Sequence, residues 1–125
     1  MTTVNLSSTD FEKTVLENDI VMVDFWASWC GPCRSFAPTY EKASEANPDI
    51  VFGKVDTEAE QALASAASIT SIPTLMAFRD GVLLYSRPGA LPAPALESLI
   101  EQVSALDMTE VQRKIAEQDA TANAG

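Results

Sequence analysis

The 125-residue chain has no histidine, only two cysteines, and 8 Lys and Arg against 18 Asp and Glu. The missing histidine removes Ser-His-Asp and Cys-His catalysis and most catalytic zinc sites. Two cysteines cannot supply a four-thiolate metal site within one chain, so no metal is expected. A formal charge of -10 repels phosphate backbones and anionic membranes, which argues against nucleic-acid and membrane partners. No apolar run approaches the roughly 20 residues a bilayer span needs. The most apolar stretch, Ile20 to Trp26, is short and is interrupted by Asp24. The opening Met1-Thr2-Thr3-Val4-Asn5-Leu6-Ser7-Ser8 lacks the basic start and apolar run of a secretory signal. Together these absences predict a cytoplasmic protein, where a close cysteine pair is catalytic or metal-binding more often than a static staple.

What is present suits one globular domain. The hydrophobic share is 46%, and a single core commonly spans roughly 50–200 residues. Thr9 followed by Glu12 has the spacing of a capping box, opening a helix with Phe11, Val15 and Leu16. Ile20 to Trp26 reads as a strand buried on both faces. After Cys33, a helical stretch carries Phe36, Ala37, Tyr40, Ala43 and Ala46 and stops at Asn47-Pro48, with Pro38 expected to bend it. Ile50 to Val55 predicts a strand and Thr57 to Ala67 a helix. Two strands, Thr74 to Phe78 and Val82 to Arg87, flank Asp80-Gly81, a hairpin signal. Pro94 fits the first turn of a helix whose Leu96, Leu99, Ile100, Val103 and Leu106 form an apolar stripe. This order predicts an α/β domain over residues 1–106, a central mixed β-sheet flanked by helices on both faces. Residues 107–120 predict an additional C-terminal helix whose Met108, Val111 and Ile115 dock on the domain or on a second chain, with a solvent-exposed tail as the alternative. Residues 121–125 read as a frayed tail.

Chemistry concentrates in Trp29-Cys30-Gly31-Pro32-Cys33, which follows a buried strand and opens a helix. Residues three apart in a helical turn have Cα atoms about 5–6 Å apart, within reach of a disulfide. A helix N-terminus offers unpaired N–H groups and partial positive charge, both of which favour a thiolate. Cys30, at the tip and open to solvent, is therefore the expected nucleophile. Cys33, a turn inside, is the expected resolving thiol. Half of a zinc site, a metal shared across a dimer and a plain packed pair are the alternatives to reversible dithiol–disulfide chemistry.

Asp24, inside an apolar strand, either faces out at a sheet edge or is a buried acid of raised pKa that takes a proton from Cys33. Lys54 either pairs with Asp24 or is simply solvated. Pro73, just before a strand, reads first as a boundary marker with an ordinary trans bond.

Val23-Asp24-Phe25-Trp26-Ala27-Ser28-Trp29-Cys30-Gly31-Pro32-Cys33-Arg34, Ala37-Pro38, Ile72-Pro73-Thr74-Leu75, Asp80-Gly81 and Gly89-Ala90-Leu91 together resemble the thioredoxin family over about residues 4 to 106. The resemblance implies the thioredoxin fold. It also implies a protein-disulfide reductase working through a reversible Cys30–Cys33 couple with no bound cofactor. A flavoprotein thioredoxin reductase would recharge it with electrons from NADPH. Asp24 matches the family's buried acid, and Pro73 its cis-proline. Trp29, Gly31, Pro32, Ile72, Pro73, Gly89 and Ala90 would form the docking surface for disulfide-containing client proteins, the Ile72 backbone pairing with an extended segment. Trp26 would pack behind the site, and the protein would act as a monomer. Departures from the family pattern are Thr70 in place of a basic residue, Arg87-Pro88 before Gly89, Pro92 in place of a polar helix cap, and the C-terminal extension. An oxidase or isomerase of the same fold, and an interaction or chaperone-like module using the last helix, are the competing readings.

Overall fold

The computed structural model describes residues 2–124, with side chains described for 2–118. Ten elements follow in chain order: β1 (Thr3–Asn5), α1 (Phe11–Glu17), β2 (Ile20–Trp26), α2 (Gly31–Ala46), β3 (Val51–Asp56), α3 (Gln61–Ala66), β4 (Thr74–Arg79), β5 (Val82–Pro88), α4 (Ala93–Ala105) and α5 (Met108–Ala124). The strands form one sheet in the order β1-β3-β2-β4-β5. β3 runs parallel to β1 and β2, whereas β4 is antiparallel to β2 and β5. The mixed sheet with helices on both faces is the expected architecture.

Alternation along the strands divides the core into two layers. On one side Met22, Phe52, Leu75 and Ala77 pack beneath Phe36 and Tyr40 of α2 and Leu96, Ile100 and Val103 of α4. On the other, Val21, Val23, Phe25 and Val55 pack against Val15 of α1, with Leu63 of α3 at the margin. β2 lies at the middle of the sheet, so Val21 to Phe25 are all buried. That explains the unbroken apolar run: a strand covered on both faces has no solvent side to alternate with.

Three local expectations need correction. Thr9 and Glu12 form no capping box: Asp10 is the N-cap and provides no side-chain cap. The Ser7 carbonyl instead accepts the amides of Asp10 and Phe11 at 3.2 and 3.0 Å. α3 begins at Gln61, not Thr57, because Asp56 Oδ1 accepts the amides of Glu58 and Ala59 at 2.9 and 3.4 Å and holds a turn there. β1 was not foreseen; it is a three-residue edge strand. At the other end α5 runs to Ala124, so the backbone of 121–124 is helical where a frayed tail is expected, and Gly125 lies outside the described residues. α2 continues through Pro38.

The hairpin follows its sequence signal. Asp80 and Gly81 have φ of 53° and 79°, the left-handed pair that a two-residue turn with native twist requires. Pairing between β4 and β5 is then irregular, with a bulge at Ala77/Phe78. Arg79, the last residue of β4, donates to the carbonyls of Val103, Ser104 and Leu106 at 2.8, 2.9 and 2.8 Å. One guanidinium thus gives partners to two carbonyls in the last turn of α4 and to that of Leu106 just beyond it. Beyond that clamp Met108 is buried, Val111 half-buried and Ile115 exposed, so the apolar stripe of α5 loses cover along its length. Among the described residues no helix is long and apolar enough to cross a membrane.

Candidate active site

β2 ends at Trp26, and the chain turns through Ala27 to Trp29 before α2 starts at Gly31. Cys30 is the N-cap of α2 with extended backbone, and Pro32 occupies the first turn, where a missing N–H costs nothing. Cys30 and Cys33 are joined in a disulfide with their Cα atoms 5.2 Å apart. The Cys33 amide donates to Cys30 Sγ at 3.2 Å. The sulfur therefore takes the place that a Ser or Asp oxygen fills at other helix starts.

Exposure does not separate the two cysteines as expected: Cys30 is 5% exposed and Cys33 4%. In the disulfide, Cys30 Sγ lies 3.7 Å from the carbonyl oxygen of Ile72. What distinguishes them is the amide that points at Cys30.

Ile72 and Pro73 reach the same spot from the start of β4. Their peptide bond is cis, not the trans default of the isolated sequence. Among the described residues neither the N–H nor the C=O of Ile72 enters a backbone hydrogen bond. Gly89 closes the far side, its amide donating to the Pro73 carbonyl at 2.8 Å with φ of 105°, a conformation that favours glycine. Trp29, Gly31, Pro32, Gly89 and Ala90 are exposed around the disulfide, Ile72 is half-buried and Pro73 buried. Trp29 is 66% exposed, which is unusual for so large an apolar ring and typical of a contact surface. Beside it opens a cleft of about 420 Å³, bounded by Trp29, Ala64, Ile69, Thr70 and Ile72.

Asp24 lies on the α2 side of β2, two residues from Met22, and is 1% exposed. Among the described residues neither carboxylate oxygen has a hydrogen-bond partner, and the nearby Trp26 Nε1 is also without one. Burial away from water raises the Asp24 pKa to about 7; the positive charge of Lys54 opposes that rise. Lys54 is opposite Asp24 in the strand register but forms no ion pair with it among the described residues. Its Nζ instead stands 4.9 Å from the centre of the Trp26 ring. Trp26 itself packs partly buried against Ala27, Cys30 and Cys33.

Sequence reasoning gave Tyr40 no place at the site. Its hydroxyl donates to the Gly53 carbonyl at 2.7 Å. Its own pKa is pushed well above the ordinary value, by burial first and then by the charge of Asp24. The available signal was helical spacing: Cys33, Phe36, Tyr40 and Ser44 share the buried face of α2. Among the described residues no group of three or more His, Cys, Asp and Glu could hold a metal ion.

A disulfide closed across the first turn of a helix, under an unpaired backbone segment and an exposed aromatic ring, defines a class: the protein is a thiol–disulfide oxidoreductase. The family model described as thioredoxin matches residues 2–121, and the chain belongs to the thioredoxin family. Putative thioredoxin 2 of Streptomyces coelicolor is 57% identical over 120 residues, covering 96% of this chain and 90% of that protein. Thioredoxin 1 of Plasmodium falciparum is 36% identical over 105 residues, covering 84% of this chain and all (100%) of that one. Among solved structures, a mutant thioredoxin from Halobacterium salinarum NRC-1 superposes with a TM-score of 0.77 at 35% identity, covering 84% of this chain and 92% of that chain.

Proposed function

We propose that the protein works in the reducing direction, passing two electrons from the Cys30–Cys33 dithiol to disulfides of client proteins. The relatives named thioredoxin support this direction, and the observation that carries Cys30 as the attacking sulfur is the Cys33 amide directed at its Sγ. In the reduced protein such a donor, with the partial charge of the helix start, favours the Cys30 thiolate at neutral pH. That thiolate attacks one sulfur of the client disulfide. A mixed disulfide forms with Cys30, and the client's other sulfur leaves as a thiolate that takes up a proton. Cys33 gives its proton to the Asp24 carboxylate and attacks Cys30. The second client thiolate then leaves, and the Cys30–Cys33 bond closes.

An acid with a pKa near 7 exchanges protons in both directions at neutral pH, which suits this acceptor role. Lys54 and Trp26 act on Asp24 rather than on the client: one by its charge, the other by covering the site. A client segment pairs with the free backbone of Ile72 and lies against Trp29, Gly31, Pro32, Pro73, Gly89 and Ala90. The site needs no bound cofactor, because the electrons reside in the sulfur pair. A flavoprotein thioredoxin reductase using NADPH returns the couple to the dithiol. The protein acts as a cytoplasmic monomer. Residues 1–106 carry the reaction as one domain, and the helix from residue 107 onward is an extension of it.

The test is NADPH-coupled reduction of insulin disulfides in the presence of a thioredoxin reductase. Wild type should turn over, while Cys30→Ser and Cys33→Ser should fall to background. A wild type no faster than the two variants would end the proposal. Asp24→Asn should slow release of a trapped mixed disulfide more than its formation. Equal slowing of both steps would remove the proton-acceptor role.

A further inference from the structure

Next to the lip made by Gly89 and Ala90, β5 and α4 leave a groove of about 400 Å³ lined by Tyr85, Arg87, Leu91, Ala95, Leu99 and Gln102. Its floor is apolar: Tyr85, Leu91 and Leu99 are half-buried against the core under α4. Its charge is a single cation, since the carboxylates of α4, Glu97 and Glu101, are not among the lining residues. The Arg87 guanidinium stands 6.0 Å from the centre of the Tyr85 ring, at the outer range of cation–π attraction. Among the described residues it has no ion pair. It is exposed and available to a partner.

The groove adjoins the proposed docking surface along the chain. Arg87 pairs across the sheet with Leu75, two residues past Pro73, and precedes Gly89 by two. Leu91 belongs at once to the groove and to the loop that follows Ala90. In a chain of net charge -10, the charged side chain lining this groove is the cationic Arg87. Its planar fork matches a carboxylate.

We propose that this groove is a client subsite selecting segments that carry a carboxylate beside apolar side chains. The carboxylate meets Arg87, and the apolar groups lie on Leu91 and Leu99. The inference rests on the reductase reading above and adds a sequence preference to it.

The experiment measures how fast the reduced protein is oxidised by two peptide disulfides that differ only in Glu or Gln at the residues flanking one cysteine. An exposed charge pair changes such a rate a few-fold. The Glu-to-Gln rate ratio should fall about threefold in Arg87→Gln. It should also fall in Gln102→Glu, which puts a competing carboxylate at the groove without touching the core. Arg87→Lys should retain part of the preference, and high salt should erase it. Lys13→Gln removes a cation from α1, away from the groove, and should leave the ratio unchanged. An unchanged ratio in Arg87→Gln, or an equal drop in Lys13→Gln, would overturn the subsite. Hydroxyethyl disulfide, small and neutral, should react equally with every variant. If wild type fails to reduce insulin disulfides, the reductase reading itself falls.

Discussion

The two faces of β2 are built to different ends. Toward α1 and α3 it presents Val21, Val23 and Phe25, each 0% exposed, with nothing polar among them. Toward α2 it presents Met22, Asp24 and Trp26, and there a carboxylate and an indole N–H lie buried with no hydrogen-bond partner among the described residues. The first face contributes stability by excluding water from apolar surface. On the second, the same exclusion of water destabilises the fold, because it lifts a carboxyl to about pH 7. One strand thus anchors the domain and holds the acid to which the proposed proton transfer is assigned. Sequence alternation alone assigns the two faces.

The sharpest way to break this contrast is to substitute one residue on each face. Phe25→Ala, which removes a ring packed 6.3 Å from that of Phe11, should cost about 4 kcal/mol in urea unfolding. What activity remains should belong to the folded fraction. Asp24→Asn should move stability the other way. Below the ordinary carboxylate pKa of 3.8, Asp24 is protonated whether folded or unfolded, and the substitution gains nothing. Between there and about 7 the folded protein holds a proton that the unfolded chain releases, so stability falls as pH rises. Above that window the penalty is fully present, about 4 kcal/mol from the size of the pKa rise. Asp24→Asn should therefore stabilise by about 3 kcal/mol at pH 8, somewhat less than the whole because an amide is unpaired there too. A stability difference that stays flat with pH would refute the assignment.

Smaller effects sharpen the picture within the α2 face. Tyr40→Phe removes the bond to the Gly53 carbonyl and should cost about 1 kcal/mol while leaving disulfide reduction intact. That outcome would separate packing near Asp24 from the chemistry of Asp24. Lys54→Met removes the charge that opposes the rise in the Asp24 pKa and should push it above about 7, as read by carboxyl NMR titration. A lowered or unmoved value would mean that Lys54 does not sense Asp24.

Much of this was legible before the fold was known. Cys30 and Cys33 declare themselves because a helix start, a proline that tolerates it and two thiols one turn apart coincide in five residues. Asp24 stands out because a carboxylate inside an apolar run has a cost that its neighbours cannot offset. Lys54 was harder. Its place opposite Asp24 depends on the register of two parallel strands, and its perch on Trp26 on the order in which they lie. β1 left no trace, since three residues are too few for a period and their pairing comes entirely from β3. The Thr57–Glu60 turn reads as helix because Glu58, Ala59 and Glu60 favour one, while the Asp56 side chain captures the first amides. The groove beside Arg87 had no local signal, because β5 and α4 meet only in the folded chain.

The bulge at Ala77/Phe78 has a consequence beyond the reaction. An open sheet has two rims, and a straight, fully hydrogen-bonding rim is a template for a neighbouring molecule. Here one rim is β1, only three residues long. The other is bent by the bulge and ends at Pro88, which has no N–H to offer. Concentrated solutions should therefore resist edge-to-edge stacking into fibrils, a safeguard built into how the sheet stops.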